Sequence, residues 1–230
     1  MLKVLGIIPA RGGSKGIPKK NIYPVKGLPL IAYTLRAAEK SKLLSACIVS
    51  SDNPKIIAAA KKYGGKAPFV RPSALATDKA SSLDVVLHGL RFMESQGFLY
   101  DAVMLLQPTC PLRSSADIDA AIRMLERNPS ADSVVSVCRL EEPHPVKTLQ
   151  IVKRKLKPFL AGRWKENLRR QDLPETYFLN GAVYCVRKST LLKKPSLWGK
   201  TTLPYVMPQE RSVNIDEILD VRWMEFLLSR

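Results

Sequence analysis

A chain of 230 residues, 46% hydrophobic and 25% charged, is long enough to bury a core and too apolar to stay disordered. Its net charge of +17 is large for the length and implies attraction to polyanions: nucleic acid, an acidic membrane surface, or phosphorylated and carboxylated small molecules. Cys47, Cys110, Cys138 and Cys185 are scattered without a C-x-x-C pair, which argues against zinc and thioredoxin-type sites and for reduced, buried thiols.

The N-terminus is apolar only from Val4 to Ile8, too short for a signal peptide, and no segment has the apolar length of a membrane span. A cytoplasmic location and no membrane association are expected. Lys3 to Pro9 reads as a short buried strand that stops at a glycine-rich segment. Pro29 to Leu44 carries apolar residues at helical spacing. Ala46 to Ser51 is a second strand; Asn53-Pro54 opens a helix to Lys62, closed by Gly64-Gly65. Ser81 to Gln96 is an amphipathic helix, Ala102 to Gln107 a central strand, Ser115 to Arg127 a helix and Asp132 to Cys138 a further strand.

Between Arg139 and Tyr177 the helical periodicity lapses and prolines accumulate. From Lys147 to Arg170 nine Lys/Arg face the single acid Glu166. This stretch reads as an excursion from the core, a β-hairpin arm with a short helix. Gly181 to Arg187 returns to a strand, and Ile215 to Leu228 closes the chain as a helix. The alternation predicts an α/β fold with a mostly parallel sheet covered on both faces.

The sharpest motif is Ile8-Pro9-Ala10-Arg11-Gly12-Gly13-Ser14-Lys15-Gly16-Ile17-Pro18-Lys19-Lys20-Asn21, directly beyond the first strand, where α/β sheets bind ligands. Glycines let successive backbone N–H groups turn inward toward an anion. Arg11, Lys15, Lys19 and Lys20 add the positive charge that a nucleoside triphosphate requires. The G-x-x-x-x-G-K-[ST] spacing does not occur, so this is not a Walker loop, and the absence of G-x-G-x-x-G weakens a dinucleotide reading. A merely solvated basic loop would not need these glycines just past a buried strand.

The chain resembles the acylneuraminate cytidylyltransferases, or CMP-sialic acid synthetases. The likeness runs through IPARGGSKGIPKKN at 8–21, RPSALATDKASS at 71–82, LLQPTCPLR at 105–113, HPVK at 144–147, RRQDLP at 169–174, NGAVY at 180–184 and ERSVNIDEILD at 210–220. It implies a Rossmann-like nucleotide-diphospho-sugar transferase fold, a single domain over 1–230, with 139–177 as a dimerisation arm in a homodimer. It also implies that Arg11, Gly12, Gly13, Ser14, Lys15, Lys20 and Asn21 hold the nucleotide. Among these, Arg11, Lys15 and Lys20 would clamp the triphosphate and, with Asp216, serve catalysis. Arg71 and Ser82 resemble positions that read cytosine and ribose; Gln107, Lys147 and Arg170 resemble contacts to the sugar acid.

Asn214-Ile215-Asp216 is the candidate metal segment, since alternate residues of an extended stretch face one side and Mg2+ takes oxygen ligands. The sequence departs here from the family's commoner D-x-D. The amide oxygen of Asn214 can coordinate the ion or bond a metal-bound water but cannot act as a base, so Asp216 carries the metal assignment with Asn214 beside it. Asp220 reads as a helix-start charge, and His88 and His144 as structural residues.

The implied reaction is attack by the anomeric hydroxyl of a nine-carbon sugar acid on the α-phosphorus of CTP, with release of pyrophosphate. Two other functions are compatible with parts of the sequence. One is a nucleotidyltransferase for another ulosonic acid such as 3-deoxy-manno-octulosonate. The other is a nucleic-acid-binding module using the 147–170 patch with Trp164 as a stacking platform. A nonspecific binder has no use for the glycine loop and the N-x-D segment, so no nucleic-acid partner is expected.

Overall fold

The computed structural model describes residues 1–14, 16–160, 169–193 and 195–230, with Arg170 described in its backbone alone. In chain order the elements are β1 (Val4–Pro9), β2 (Pro24–Val25), β3 (Leu28–Pro29), α1 (Leu30–Glu39), β4 (Ala46–Ser50), α2 (Pro54–Lys62), α3 (Ser82–Ser95), β5 (Ala102–Leu105), α4 (Ser115–Arg127), β6 (Ser133–Arg139), β7 (Leu149–Val152), β8 (Lys155–Pro158), β9 (Tyr177–Arg187), α5 (Lys188–Lys193), β10 (Thr202–Met207) and α6 (Ile218–Leu227).

The main sheet has the order β10-β6-β9-β5-β1-β4. Parallel pairs join β1 to β4 and β5, and β6 to β10, while β9 runs antiparallel between β5 and β6. The fold is therefore a mostly parallel sheet flanked by helices, as the alternation of elements predicts. In β1, Val4 and Ile8 face one side of the sheet and Leu5 and Ile7 the other. The first pair packs with Ile31 of α1, Ile56 of α2 and Ile118 of α4; the second packs with Val86 and Leu90 of α3. Burial on both faces explains why β1 is an unbroken apolar run rather than an alternating one. A third cluster joins Ile17, from the glycine-rich loop, to Ile215, Val221 and Met224 near the C-terminus.

Element ends follow local polar bonding. Asn53 caps α2, its side chain accepting from Lys55 N at 2.9 Å, and Ser114 with Asp117 forms a capping box on α4. The helix expected over Pro29–Leu44 stops at Glu39. The buried Asp119 carboxylate accepts from Ser41 Oγ at 2.6 Å and from the Leu43 amide at 3.1 Å, which pulls the chain into a turn. The helix expected from Ile215 begins at Ile218 instead, because Asp220 Oδ2 accepts from the amides of Asp216 and Glu217, both at 2.8 Å. This leaves 214–216 extended, and Asp220 acts as a cap. The strand expected at Gly181 starts earlier, at Tyr177. Both α5 and β10 lie where no element was expected.

The excursion between β6 and β9 contains the ribbon β7–β8, turned at Lys153 and Arg154, whose φ values are 49° and 63°. Register places Ile151 opposite Leu156, and both side chains are exposed.

Candidate active site

The loops that follow β1 and β5, the stretch leading into α3 and the segment around Asp216 enclose a cleft of about 550 Å³, walled by Arg11, Lys20, Arg71, Ser82, Gln107 and Asp216 among others. Its floor begins where β1 gives way to the glycine-rich loop. Gly12 N donates to Asp52 Oδ1 at 2.9 Å, and the buried Asn21 donates from Nδ2 to the Arg11 carbonyl at 2.9 Å. These two bonds fix the loop from opposite ends. Gly13, Ser14 and Asn21 line the cleft; Gly12 packs against Asn53, and a Cβ there would come within 2.8 Å of the Asn53 amide nitrogen. Lys15 lies outside the described residues.

Gly16 brings the loop against the C-terminal segment so closely that a Cβ would overlap the Asp216 carbonyl oxygen. Beside this contact, Lys20 Nζ donates to the Ile215 carbonyl at 2.9 Å and to Asp216 Oδ1 at 2.8 Å. On the other rim, Arg11 NH1 pairs with Asp78 Oδ1 at 2.6 Å. Arg11 with Asp78 and Lys20 with Asp216 thus form two ion pairs on the walls of one cleft.

Arg71 is buried, donating from Nε to Ser50 Oγ at 3.0 Å and from NH2 to the Ser50 carbonyl. Burial lowers its pKa to about 10, which still leaves a cation at neutral pH. Ser82 is the first residue of α3. The cap is Ser81, whose Oγ accepts from Asp84 N at 3.1 Å, so the Ser82 hydroxyl on the cleft wall is not the helix cap. Gln107 stands just past β5 with its amide against Gly181; a Cβ on Gly181, where φ is +76°, would fall 2.5 Å from Gln107 Oε1. Lys147 lies in the arm, 3.3 Å from Glu142 Oε1, and does not line this cleft. The side chain of Arg170 lies outside the described residues.

Asn214 turns its amide nitrogen to Asp216 Oδ2 at 2.5 Å, and its Oδ1 lies 3.5 Å from Cys110 Sγ. It thus holds the Asp216 carboxylate in place. Among the described residues no three His, Cys, Asp or Glu side chains gather in a way that could hold a metal ion. One carboxylate on the wall of a cleft that also carries Arg11 and Lys20 nevertheless fits Mg2+, which binds by one or two carboxylates when phosphates supply further oxygens. His88 packs edge-on to Phe69 at 4.7 Å, and burial lowers its pKa. His144 caps the short turn over Pro145–Lys147, with Nδ1 accepting from Val146 N at 3.2 Å.

No local sequence pattern singles out Asp52, Asp78 or Arg113. Asp78 sits inside the 71–82 block and Arg113 ends the 105–113 block, so block membership was the one signal available for them.

A family model described as cytidylyltransferase matches residues 5–218. The pseudaminic acid cytidylyltransferase of Campylobacter jejuni is 33% identical over 226 residues, covering 98% of this chain and 96% of that protein. The N-acylneuraminate cytidylyltransferase of Escherichia coli is 35% identical over 218 residues, 95% of this chain and 50% of that protein. Among solved structures, a CMP:2-keto-3-deoxy-manno-octonic acid synthetase complexed with CTP aligns with a TM-score of 0.72 at 18% identity, over 99% of this chain and 98% of that one; that likeness speaks to the fold.

Proposed function

This chain belongs to the cytidylyltransferase family, and from that premise we propose that it transfers CMP from CTP to the anomeric hydroxyl of a nine-carbon, sialic-acid-type sugar acid, releasing pyrophosphate. The observation that carries the reading is the meeting of Arg11, Lys20 and Asp216 in one cleft at the C-terminal end of the sheet. The identity with pseudaminic acid and N-acylneuraminate cytidylyltransferases favours a nine-carbon acid over 3-deoxy-manno-octulosonate.

In this reading the glycine-rich loop receives the triphosphate, and Arg11 and Lys20 exchange their carboxylate partners for phosphate oxygens. Their charge stabilises the negative charge that moves onto the departing pyrophosphate. Arg71 and Ser82 face the nucleoside, and Gln107 faces the sugar acid. Mg2+ would be held by Asp216, with Asn214 supporting it; when bound, such an ion neutralises phosphate charge and orients the α-phosphate. Attack by a sugar hydroxyl then depends mainly on positioning.

The 1–230 chain is read as one nucleotidyltransferase domain, and 139–177 as its dimerisation arm. The apolar face of the β7–β8 ribbon, with Leu149, Ile151 and Leu156 exposed, supports a homodimer in which Lys147 and Arg170 reach the partner's cleft. Among the described residues no helix is long and apolar enough to cross a membrane. Unpaired cysteines support a reducing, cytoplasmic setting.

The test is pyrophosphate release with Mg2+ across four nucleoside triphosphates and a panel of N-acetylneuraminate, legionaminate, pseudaminate and 3-deoxy-manno-octulosonate. Turnover is expected with CTP and a nine-carbon acid. Turnover confined to GTP, or to the octulosonate, would overturn the assignment. The adjacent serines both line the cleft, but Ser81 alone caps α3. Ser81→Ala is expected to cost about 1 kcal/mol of stability through the lost cap, seen as a lower urea midpoint. Ser82→Ala is expected to keep the midpoint and raise KM for CTP.

A further inference from the structure

Arg113 is a buried guanidinium, 3% exposed, at a position where the reaction has no evident use for a cation. Burial lowers its pKa to about 10, yet it remains charged at neutral pH, at an energetic cost that needs a return. Its contacts indicate what that return is. NH1 donates to the Ala182 carbonyl at 2.6 Å, NH2 to the Gln107 carbonyl at 3.0 Å and to Thr34 Oγ1 at 2.7 Å, and NH1 also approaches the Gln107 carbonyl at 3.3 Å. The amide of Cys110 donates to that same carbonyl at 3.2 Å. One carbonyl oxygen thus gathers the two terminal guanidinium nitrogens and a turn amide.

The two backbone groups that Arg113 grips flank a single contact. Gln107 carries the amide on the cleft wall, and Ala182 follows Gly181, whose missing Cβ makes room for Gln107 Oε1. Cys110 Sγ closes the arrangement by donating to the Asn180 carbonyl at 2.7 Å. A planar fork that holds two carbonyls at a fixed separation is something a lysine cannot reproduce.

We infer that Arg113 is a positioning residue for the sugar-acid half of the site, locking the Gln107 turn to the Gly181 segment so that the Gln107 amide meets the sugar acid at one fixed height in the cleft. The inference rests on the proposed sugar-acid role of Gln107 and adds to it the residue that holds Gln107 in place.

The test compares Arg113→Lys, Gln107→Ala, the double variant and Thr34→Val, with KM measured separately for CTP and for the sugar acid. Arg113→Lys keeps the buried charge but cannot span both carbonyls. It is expected to raise the sugar-acid KM by about 10- to 100-fold, the scale of losing a hydrogen bond to a charged group, while the CTP KM and the thermal shift induced by CTP stay near wild type. The double variant is expected to be no worse for the sugar acid than Gln107→Ala, the non-additivity of residues acting through one another. Thr34→Val removes the side-chain bond that Arg113 NH2 makes to α1 while leaving its bonds to the Gln107 and Ala182 carbonyls, and is expected to lower the melting temperature without moving either KM.

Equal rises in both KM values for Arg113→Lys, or its failure to fold, would assign Arg113 to stability alone and overturn the inference. An unchanged sugar-acid KM in Gln107→Ala would instead overturn the reading of Gln107 beneath it. A raised KM in Gln107→Ala beside an unaltered one in Arg113→Lys would remove Arg113 while leaving Gln107 in the site.

Discussion

Asp216→Ala is expected to lower kcat on the order of 10³-fold, with the fold intact, because in the proposed reading its carboxylate is the principal ligand for Mg2+. The segment's backbone does not depend on that side chain. Asp220 still accepts from the amide of residue 216, and Lys20 still reaches the Ile215 carbonyl. The carboxylate itself is 62% exposed, so its removal leaves no cavity. Kinetics at saturating Mg2+, together with a melting curve, separate the two effects. Near-normal kcat would take Asp216 out of the metal assignment, whereas loss of activity with a collapsed melting temperature would show that the side chain is structural.

Gly16→Ala is expected to cost about 10²-fold or more in kcat/KM for CTP, although a single methyl is added. That methyl would overlap the Asp216 carbonyl oxygen, a backbone atom that cannot swing aside like a flexible side chain. Retreat is blocked on both sides, because Ile17 and Ile215 are fully buried in one cluster. Relief must come from moving the loop, which shifts Lys20 relative to Asp216; displacements near 1 Å at such a site cost rate on this scale. Gly13→Ala provides the comparison in stability, since a Cβ there meets nothing within 4 Å. Its melting temperature is expected to match wild type while that of Gly16→Ala falls. Equal melting temperatures and equal CTP kinetics in the two variants would contradict the close-approach account.

How much of this was legible in the sequence depended on the range of the interactions involved. The glycine-rich loop was readable because its cues are contiguous: a strand buried on both faces, a run of glycines, then cations. The capped starts of α2 and α4 were readable for the same reason, with Asn53 and Ser114 each acting within their own first turn. The end of α1 was not, because it is set by Asp119, far along the chain. β10 escaped notice because an edge strand with Pro204 in it and a half-exposed pattern lacks both a continuous apolar run and a clean alternation. The division of labour between Ser81 and Ser82 turns on one residue of helix register, finer than periodicity resolves. Arg113 and Asp78 acquire meaning only when distant strands and loops converge, which no local pattern encodes.

The ion pair between Lys20 and Asp216 spans 196 positions, and the apolar seam beneath it joins Ile17 to Met224. The walls of this cleft are thus joined by contacts between stretches far apart in sequence rather than by local structure. Loosening the 214–216 stretch would leave the glycine-rich loop without the surface it packs against, however well the strands between them stay paired.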